Sequence, residues 1–264
     1  MRTESRIKSI LLAEPLDSSI TEISTFEPSF IKLNENYKFQ IPTNLRLGHL
    51  AEKILSDAIE TSSNYHLLHQ GIQLIDDNNN TIGELDFIIK DQESNQILHV
   101  EFAYKFYLFD PELHSTPIHN WIGPNRNDSL SQKLEKLKQK QFPLLFHDLL
   151  KSTITETQEI SQRLCVLASL FIPYNYQGKI PSSYKKHVKG YYWYFKEFTS
   201  LDHSEKLYYI PLKKEWGIDP TENYTWLTYN QLKDDLTQRL HEKRAPLVWQ
   251  KQGEVYSEFF IVWW

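Results

Sequence analysis

The chain has 264 residues, 40% of them hydrophobic and 24% charged, so it can bury a core as one large domain or two small ones without disulfides or a structural metal. Aspartate and glutamate outnumber lysine and arginine by 34 to 29, a net charge of −5, which excludes a generally basic, histone-like nucleic-acid binder. The single cysteine excludes a disulfide framework and a cysteine-based zinc cluster. It also favours a reducing cytoplasm as the setting.

The N-terminal residues, 1–43, are predicted to form a helical segment, with a short helix over residues 4–13 that Pro15 ends. Its apolar run, Ile10–Ala13, is shorter than the apolar stretch of about 7–15 residues that a signal peptide needs. The longest apolar run of the chain, residues 164–172, is about half the length of a membrane span. We therefore expect a soluble, cytoplasmic protein.

The next part of the chain changes its apolar period from that of a helix to that of strands. Apolar residues at spacings of three and four predict a helix over about residues 44–60. Three runs typical of strands follow, separated by turn-rich connectors, and predict an antiparallel meander. These strands are predicted at Tyr65–Ile75, Thr81–Lys90 and Ile97–Leu108.

A second helix is predicted from Asp128, a good N-cap residue, to Gln141, and a buried strand over 163–172. Residues 44–172 thus form a core of helix, three-stranded meander, helix and strand. Residues 173–264 are predicted to form a β-rich C-terminal lobe packed on that core. The fold class predicted for the whole chain is α/β, of an α+β-like kind.

In the C-terminal lobe, aromatic residues predict strands and one amphipathic stretch predicts a helix. The strands are predicted at residues 191–198, 207–212, 246–250 and 255–264, and the helix near residues 229–243.

The third strand of the meander separates apolar from polar side chains. Its even positions, from Leu98 to Leu108, are all apolar, while Glu101 and Lys105 share the opposite face. If the second and third strands pair as a hairpin, Asp86 lies near Glu101. Two carboxylates held close repel each other, and a divalent cation relieves that repulsion. The alternative is an ordinary solvated sheet face, on which Glu–Lys pairs are common.

The ordered set Glu52, Gly83–Asp86 and Val100–Lys105, on this order of elements, resembles the PD-(D/E)XK nuclease superfamily. The stretches Glu101–Leu108 and Trp121–Leu134 further resemble an uncharacterised bacterial family, the domain of unknown function numbered eighteen fifty-three. The superfamily likeness covers about residues 44–172, and the family likeness covers most of the chain.

The resemblance implies a metal-dependent phosphodiesterase, a nuclease that hydrolyses DNA or RNA. It implies that Asp86 and Glu101 hold Mg²⁺ or Mn²⁺, that Glu52 assists through water, and that Lys105 acts on the attacking water. One spacing departs from the superfamily pattern, which places lysine two residues after the acid, where this chain has Ala103. Lys105 is therefore displaced by about 6–7 Å along the strand. The alternative is a catalytically inactive nuclease-like protein that binds nucleic acid or a protein partner.

Two basic stretches are candidates for phosphate contacts. Residues 125–151, which include Arg126, Lys133 and Lys151, carry a net charge of +3. Residues 178–190 contain four lysines and no acidic residue. Lys185 and Lys186 belong to the second stretch. The neighbouring aromatic residues Tyr184, Tyr191, Tyr192 and Trp193 are candidates for stacking on unpaired bases. The alternative is a solvated lysine-rich surface beside aromatic core strands.

Overall fold

The computed structural model describes residues 3–34, 38–150, 153–154 and 159–264. These residues form seven α-helices and nine β-strands, which confirms the mixed α/β class. The helices are α1 (Thr3–Leu11), α2 (Ser18–Thr21), α3 (Leu47–Glu60), α4 (Leu130–Lys136), α5 (Ser182–Lys185), α6 (Phe195–Thr199) and α7 (Tyr229–His241). The strands are β1 (Tyr65–Ile75), β2 (Thr81–Asp91), β3 (Ile97–Phe109), β4 (Trp121–Ile122), β5 (Ile160–Pro173), β6 (Val188–Tyr194), β7 (Leu207–Tyr209), β8 (Leu247–Gln252) and β9 (Val255–Val262).

The chain divides into two compact units, each built from separate stretches of sequence. The N-terminal unit comprises Arg6–Lys105 and Gln132–Ala168, and the C-terminal unit comprises 106–131 and 169–264 with residues 3–5.

The N-terminal unit contains the predicted meander. Strands β1, β2 and β3 pair antiparallel in that order, and β5 lies next to β3. The first connector is a tight turn in which the Asp76 carboxylate accepts the backbone N–H groups of Asn78 and Asn80. Short side-chain acceptors of this kind stabilise turns, so the turn-rich connectors correctly predicted the hairpins.

The apolar face of β3 and its partner on β2 form the core of the unit, as predicted. Leu85, Phe87 and Val100 are fully buried. The opposite face is not solvated, because Glu101 and His99 are also fully buried. These two buried polar side chains argue against the alternative of an ordinary solvated sheet face. The ring of Phe142 lies 5.5 Å from that of His99, and it covers this face from a distant segment.

The helix predicted at residues 128–141 is divided in two. The α-helix α4 ends at Lys136, and a π-helical turn, Leu137–Gln141, continues it into a 3₁₀ turn, Phe142–Phe146. Leu130, Leu134 and Leu137 face inward as predicted. The 3₁₀ turn packs on β2 at Gly83, where a Cβ atom would lie only 2.5 Å from a Leu144 methyl group. The absence of a side chain at this glycine thus allows the close approach.

The C-terminal unit has the strand order β5-β6-β9-β8-β7. Its β5–β6 and β6–β9 pairs are parallel, and its remaining two pairs are antiparallel. The closing strands and the helix α7 confirm the predictions for residues 229–264. The prediction of a strand through residue 198 is wrong, because β6 ends at Tyr194 and residues 195–199 are helical. The helical turn buries Phe198 in the cluster that contains Tyr208 and Phe259, so tertiary packing overrides strand propensity there.

Within the described residues, no helix has the length and apolarity needed to cross a membrane.

Candidate functional site

A cavity of about 340 Å³ lies in the N-terminal unit, where four elements meet: α3, β2, β3, and α4 together with the π-helical turn that continues it. Residues from all four elements form its wall, and they include two acidic and three basic side chains besides one histidine. The lining residues are Arg46, Gly48, His49, Glu52, Asp86, Phe102, Ala103, Tyr104, Lys105, Lys133 and Gln141.

Helix α3 places Glu52 at this wall. Its stripe of apolar residues, such as Leu50 and Ile54, is buried, and the side chain of Glu52 stays partly exposed beside the stripe, with His49 at 3.8 Å. Burial raises the pKa of Glu52, and the negative charge of Asp86 raises it further. The negative charges of Glu52 and Asp86 therefore repel each other across the cavity.

Asp86 is the second acid of the wall and is fixed by the backbone of the neighbouring strand. Its Oδ2 atom accepts the N–H of Phe102 at 2.7 Å. Burial raises the pKa of Asp86 to about 7, and the neighbouring Glu101 carboxylate acts in the same direction. A carboxyl group in this environment takes up a proton unless a cation compensates its charge.

Glu101 lies behind the wall rather than in it. Its side chain is fully buried, and its charge interacts with that of Asp86, so the predicted proximity of the two acids is present. His99 Nε2 lies 2.9 Å from Oε1 of Glu101, and Gln141 Nε2 donates to Oε2 at 2.7 Å. Burial raises the pKa of Glu101 to about 8.

The contact between His99 and Glu101 belongs to a buried chain of hydrogen bonds. The side-chain N–H₂ of Gln162 donates to the Phe142 carbonyl at 2.7 Å and lies 3.3 Å from Nδ1 of His99. Because an amide nitrogen is only a donor, Nδ1 is the acceptor and Nε2 carries the proton toward Glu101. Burial lowers the pKa of His99 to about 4, so the imidazole is neutral at pH 7. The strand alternation placed His99 on the face of Glu101, but it did not predict this enclosure.

Two lysines line the cavity with the acids. Lys105, predicted to act on the attacking water, lies at the wall, so the four-residue spacing from Glu101 does not remove it from the site. Lys133, predicted only as a phosphate contact, lies at the same wall. Burial lowers the pKa of Lys133, and the charges of Asp86 and Glu101 oppose that shift.

The other predicted phosphate contacts are in the C-terminal unit. Arg126 forms an ion pair with Asp110 at 3.0 Å, and its guanidinium lies 4.6 Å from the ring centre of Trp264. Lys185 and Lys186 are exposed at the end of α5. Lys151 of the first basic stretch lies outside the described residues.

The stacking role predicted for the neighbouring aromatic residues is wrong for three of them. Tyr184, Tyr192 and Trp193 are buried and belong to the core, so their rings are not exposed to stack on unpaired bases. Tyr191 is partly buried and stacks on Phe259, with the ring centres 5.4 Å apart.

Within the described part of the chain, no group of three or more His, Cys, Asp or Glu side chains is arranged to hold a metal ion. The carboxylate and side-chain amide oxygens of the wall belong to Glu52, Asp86 and Gln141. Gln141 is a site residue that the sequence did not indicate, since the π-helical turn that presents it has no pattern of its own.

The raised pKa values of Asp86 and Glu101 predict how stability depends on pH. Without metal, the folded protein keeps protons on these groups, with pKa values of about 7 and 8, where the unfolded chain has released them. The free energy of unfolding should therefore fall as the pH rises from about 4 to about 8. Urea unfolding in chelator at pH 5 to 8.5 measures this slope.

The matched variant for this prediction is Asp86→Asn, which should flatten the slope. Burial also raises the pKa of Glu258, in the C-terminal unit, to about 8, so Glu258 contributes to the slope in both proteins. The difference between the two slopes therefore isolates the contribution of Asp86. Equal slopes in the two proteins would contradict the burial of a coupled acidic pair.

A family model described as "Domain of unknown function (DUF1853)" matches residues 19–258. This match confirms the family resemblance found in Glu101–Leu108 and Trp121–Leu134, and it spans the whole cavity wall. No curated protein and no solved structure matches the chain. The likeness to the PD-(D/E)XK superfamily stays a prediction.

Proposed function

The chain belongs to the DUF1853 family, and from that premise we propose that it is a metal-dependent phosphodiesterase acting on DNA or RNA. One observation carries the proposal: Glu52, Asp86, Lys105 and Lys133 line a single cavity. Two desolvated carboxylates beside two ammonium groups are the charges that cation binding and phosphoryl transfer require.

The donor set at the wall fits a hard divalent cation. Mg²⁺ and Mn²⁺ prefer oxygen ligands, and Asp86 and Glu52 present carboxylates whose mutual repulsion a cation would relieve. Asp86 would hold the cation, with Glu52 assisting and Glu101 supporting Asp86 from behind. When bound, such a cation supplies Lewis acidity to a phosphoryl oxygen.

The chain's own residues would position the substrate and balance its charge. The ammonium groups of Lys105 and Lys133 would neutralise negative charge that develops on the phosphoryl group. Arg46 is exposed at the start of α3, and it would contact a phosphate at the cavity rim. The charge of Lys133 interacts with both Asp86 and Glu101, so Lys133 is a candidate for contact with the reacting phosphate.

A second function is favoured by the enclosure of Glu101. Because both of its carboxylate oxygens are engaged by His99 and Gln141, Glu101 is less available as a ligand than the superfamily likeness implies. With one acidic ligand withdrawn, the cavity would bind the phosphate backbone of a nucleic acid through its lysines without cutting it. The exposed Lys185 and Lys186 would be further phosphate contacts in either case.

The experiment that tests the proposal is incubation of the purified chain with single-stranded and double-stranded DNA and RNA in Mg²⁺, Mn²⁺ or chelator. We expect cleavage of at least one substrate, dependent on the metal. Binding that shifts the mobility of the nucleic acid without cleavage under any condition would support the second function instead.

The two cavity lysines are predicted to differ in their contribution to cleavage. Lys133→Ala should lower kcat by about a hundredfold or more, since electrostatic stabilisation of this kind contributes about 10²–10³. Lys105→Ala should lower it by less, and Mn²⁺ affinity should hold or rise in both variants because a neighbouring positive charge is removed. Single-turnover cleavage and Mn²⁺ calorimetry measure the two effects.

The matched control is Lys136→Ala, one turn along α4 from Lys133 and exposed. It should cleave like the parent. Equal losses in Lys136→Ala and Lys133→Ala would show that helix charge in general, and not the cavity lysine, affects the reaction.

A further inference from the structure

Gln141 is the wall residue whose hydrogen bonding is incomplete. Its Nε2 donates to Oε2 of Glu101 at 2.7 Å, which fixes the orientation of the amide. Its Oε1 is buried and has no hydrogen-bond partner among the described residues. Because a buried acceptor without a partner carries a desolvation cost, such an atom in a cavity wall calls for a partner that enters the cavity.

The backbone presents this amide to the cavity in an unusual way. Gln141 ends the π-helical turn that follows α4, and the first residue of that turn, Leu137, is fully buried. A π-helical turn changes the direction of the side chains that follow it, and such turns are frequent at functional sites. The turn therefore allows Leu137 to stay in the core while Gln141 reaches both Glu101 and the wall.

The chemistry of the surroundings identifies the partner. Asp86 lies at the same wall as Gln141, and its charge interacts with that of Glu101, to which Gln141 donates. A neutral amide oxygen next to carboxylates belongs to the oxygen donors that hard divalent cations take in proteins. We propose that Gln141 supplies, through Oε1, a further oxygen ligand to the divalent cation that Asp86 would hold. This inference rests on the proposed function only for the presence of that cation.

Two substitutions distinguish the role of the N–H donor of the Gln141 amide from the role of its oxygen. Gln141→Leu removes both the N–H donor and the oxygen. Gln141→Glu keeps an oxygen at the same distance along the side chain, makes it anionic and removes the donor to Glu101. The matched control is Gln139→Leu, two residues earlier in the same turn, where an exposed glutamine contacts Glu135 at 3.2 Å.

The experiment is Mn²⁺ titration of the full chain by calorimetry, with thermal melts in chelator and in saturating Mn²⁺. Gln141→Leu should weaken Mn²⁺ binding by about tenfold or more, in the range that loss of supporting ligands costs. Gln141→Glu should bind Mn²⁺ at least as tightly as the parent, because an anionic oxygen suits a hard cation. Its melting temperature should rise more on Mn²⁺ addition than that of the parent. Gln139→Leu should match the parent in both measurements.

Several results would overturn the inference. One is Mn²⁺ affinity in Gln141→Leu equal to that of the parent. Another is binding by Gln141→Glu weaker than the parent, which would mean that only the donor to Glu101 matters; this comparison decides even if the leucine variant does not fold. A parent chain that binds no Mn²⁺, with or without single-stranded DNA, would overturn it as well.

Cleavage measured in parallel distinguishes this inference from the proposed function. If cleavage requires metal but Mn²⁺ affinity does not depend on Gln141, the inference is wrong and the phosphodiesterase proposal stands. If Mn²⁺ affinity depends on Gln141 but the chain cleaves no substrate, the inference stands and the phosphodiesterase proposal is wrong.

Discussion

Asp86→Asn is expected to abolish cleavage and to lower divalent-metal affinity by more than about a hundredfold, the upper end of what even supporting residues of a metal site cost. The substitution keeps the shape of the side chain, and the amide oxygen can still accept the Phe102 N–H that Asp86 accepts at 2.7 Å. What it removes is the anionic oxygen, on which a hard cation depends. Calorimetric Mn²⁺ titration and the cleavage assay measure the two losses.

The same variant should not be less stable than the parent when metal is absent. Burial and the neighbouring Glu101 together raise the pKa of Asp86 to about 7, so its charged form is unfavourable in the fold. Asn removes that unfavourable charge. The melting temperature in chelator at pH 8 should therefore hold or rise.

The control is Asp77→Asn, on the exposed turn between β1 and β2, which should leave affinity, cleavage and melting temperature unchanged. If Asp86→Asn retained parental cleavage, the site would not be the one proposed. A large loss of stability in chelator would show that Asp86 is a structural acid.

Phe87→Ala is expected to lower the free energy of unfolding by about 3–5 kcal/mol, the usual cost of truncating a buried phenylalanine. Phe87 lies on β2 opposite Val100 of β3, and both are fully buried. Removing the ring loses its transfer free energy and leaves a cavity that the surrounding strands cannot fill. Urea unfolding at fixed pH measures the change.

The matched control is Phe146→Ala in the same unit, where the ring is 75% exposed. This change should stay within about 0.5 kcal/mol. Comparable losses in the two variants would mean that the sheet faces are assigned wrongly, and with them the face that carries Glu101.

Much of the N-terminal unit could be predicted from local patterns. Alternation along residues 97–108 predicted a strand with Val100 and Phe102 inside, and both are buried. Spacings of three and four predicted α3 and placed Glu52 at the edge of its apolar stripe. These predictions succeed because a period of 2 or 3.6 residues fixes which side chains share a face.

Such patterns could not predict which distant segment covers each face of the sheet. The alternation put Glu101 and Lys105 on one face of β3, yet Glu101 is fully enclosed and Lys105 reaches the cavity. Their difference comes from residues about forty or more positions along the chain, since Gln141 holds Glu101 and Phe142 covers His99. No local period records which distant segment will lie over a strand.

The sequence by itself thus determined the α/β class, the antiparallel meander and the membership of its core, because each follows from the periodicity of neighbouring residues. It also brought Glu52, Asp86, Glu101 and Lys105 forward as one set. Only the tertiary structure decided that Lys133 lies beside Asp86 and Glu101, and that Gln141 lines the cavity while Glu101 lies behind its wall. The physical reason is that a π-helical turn and long-range packing set these directions, and both depend on contacts formed after the local elements exist.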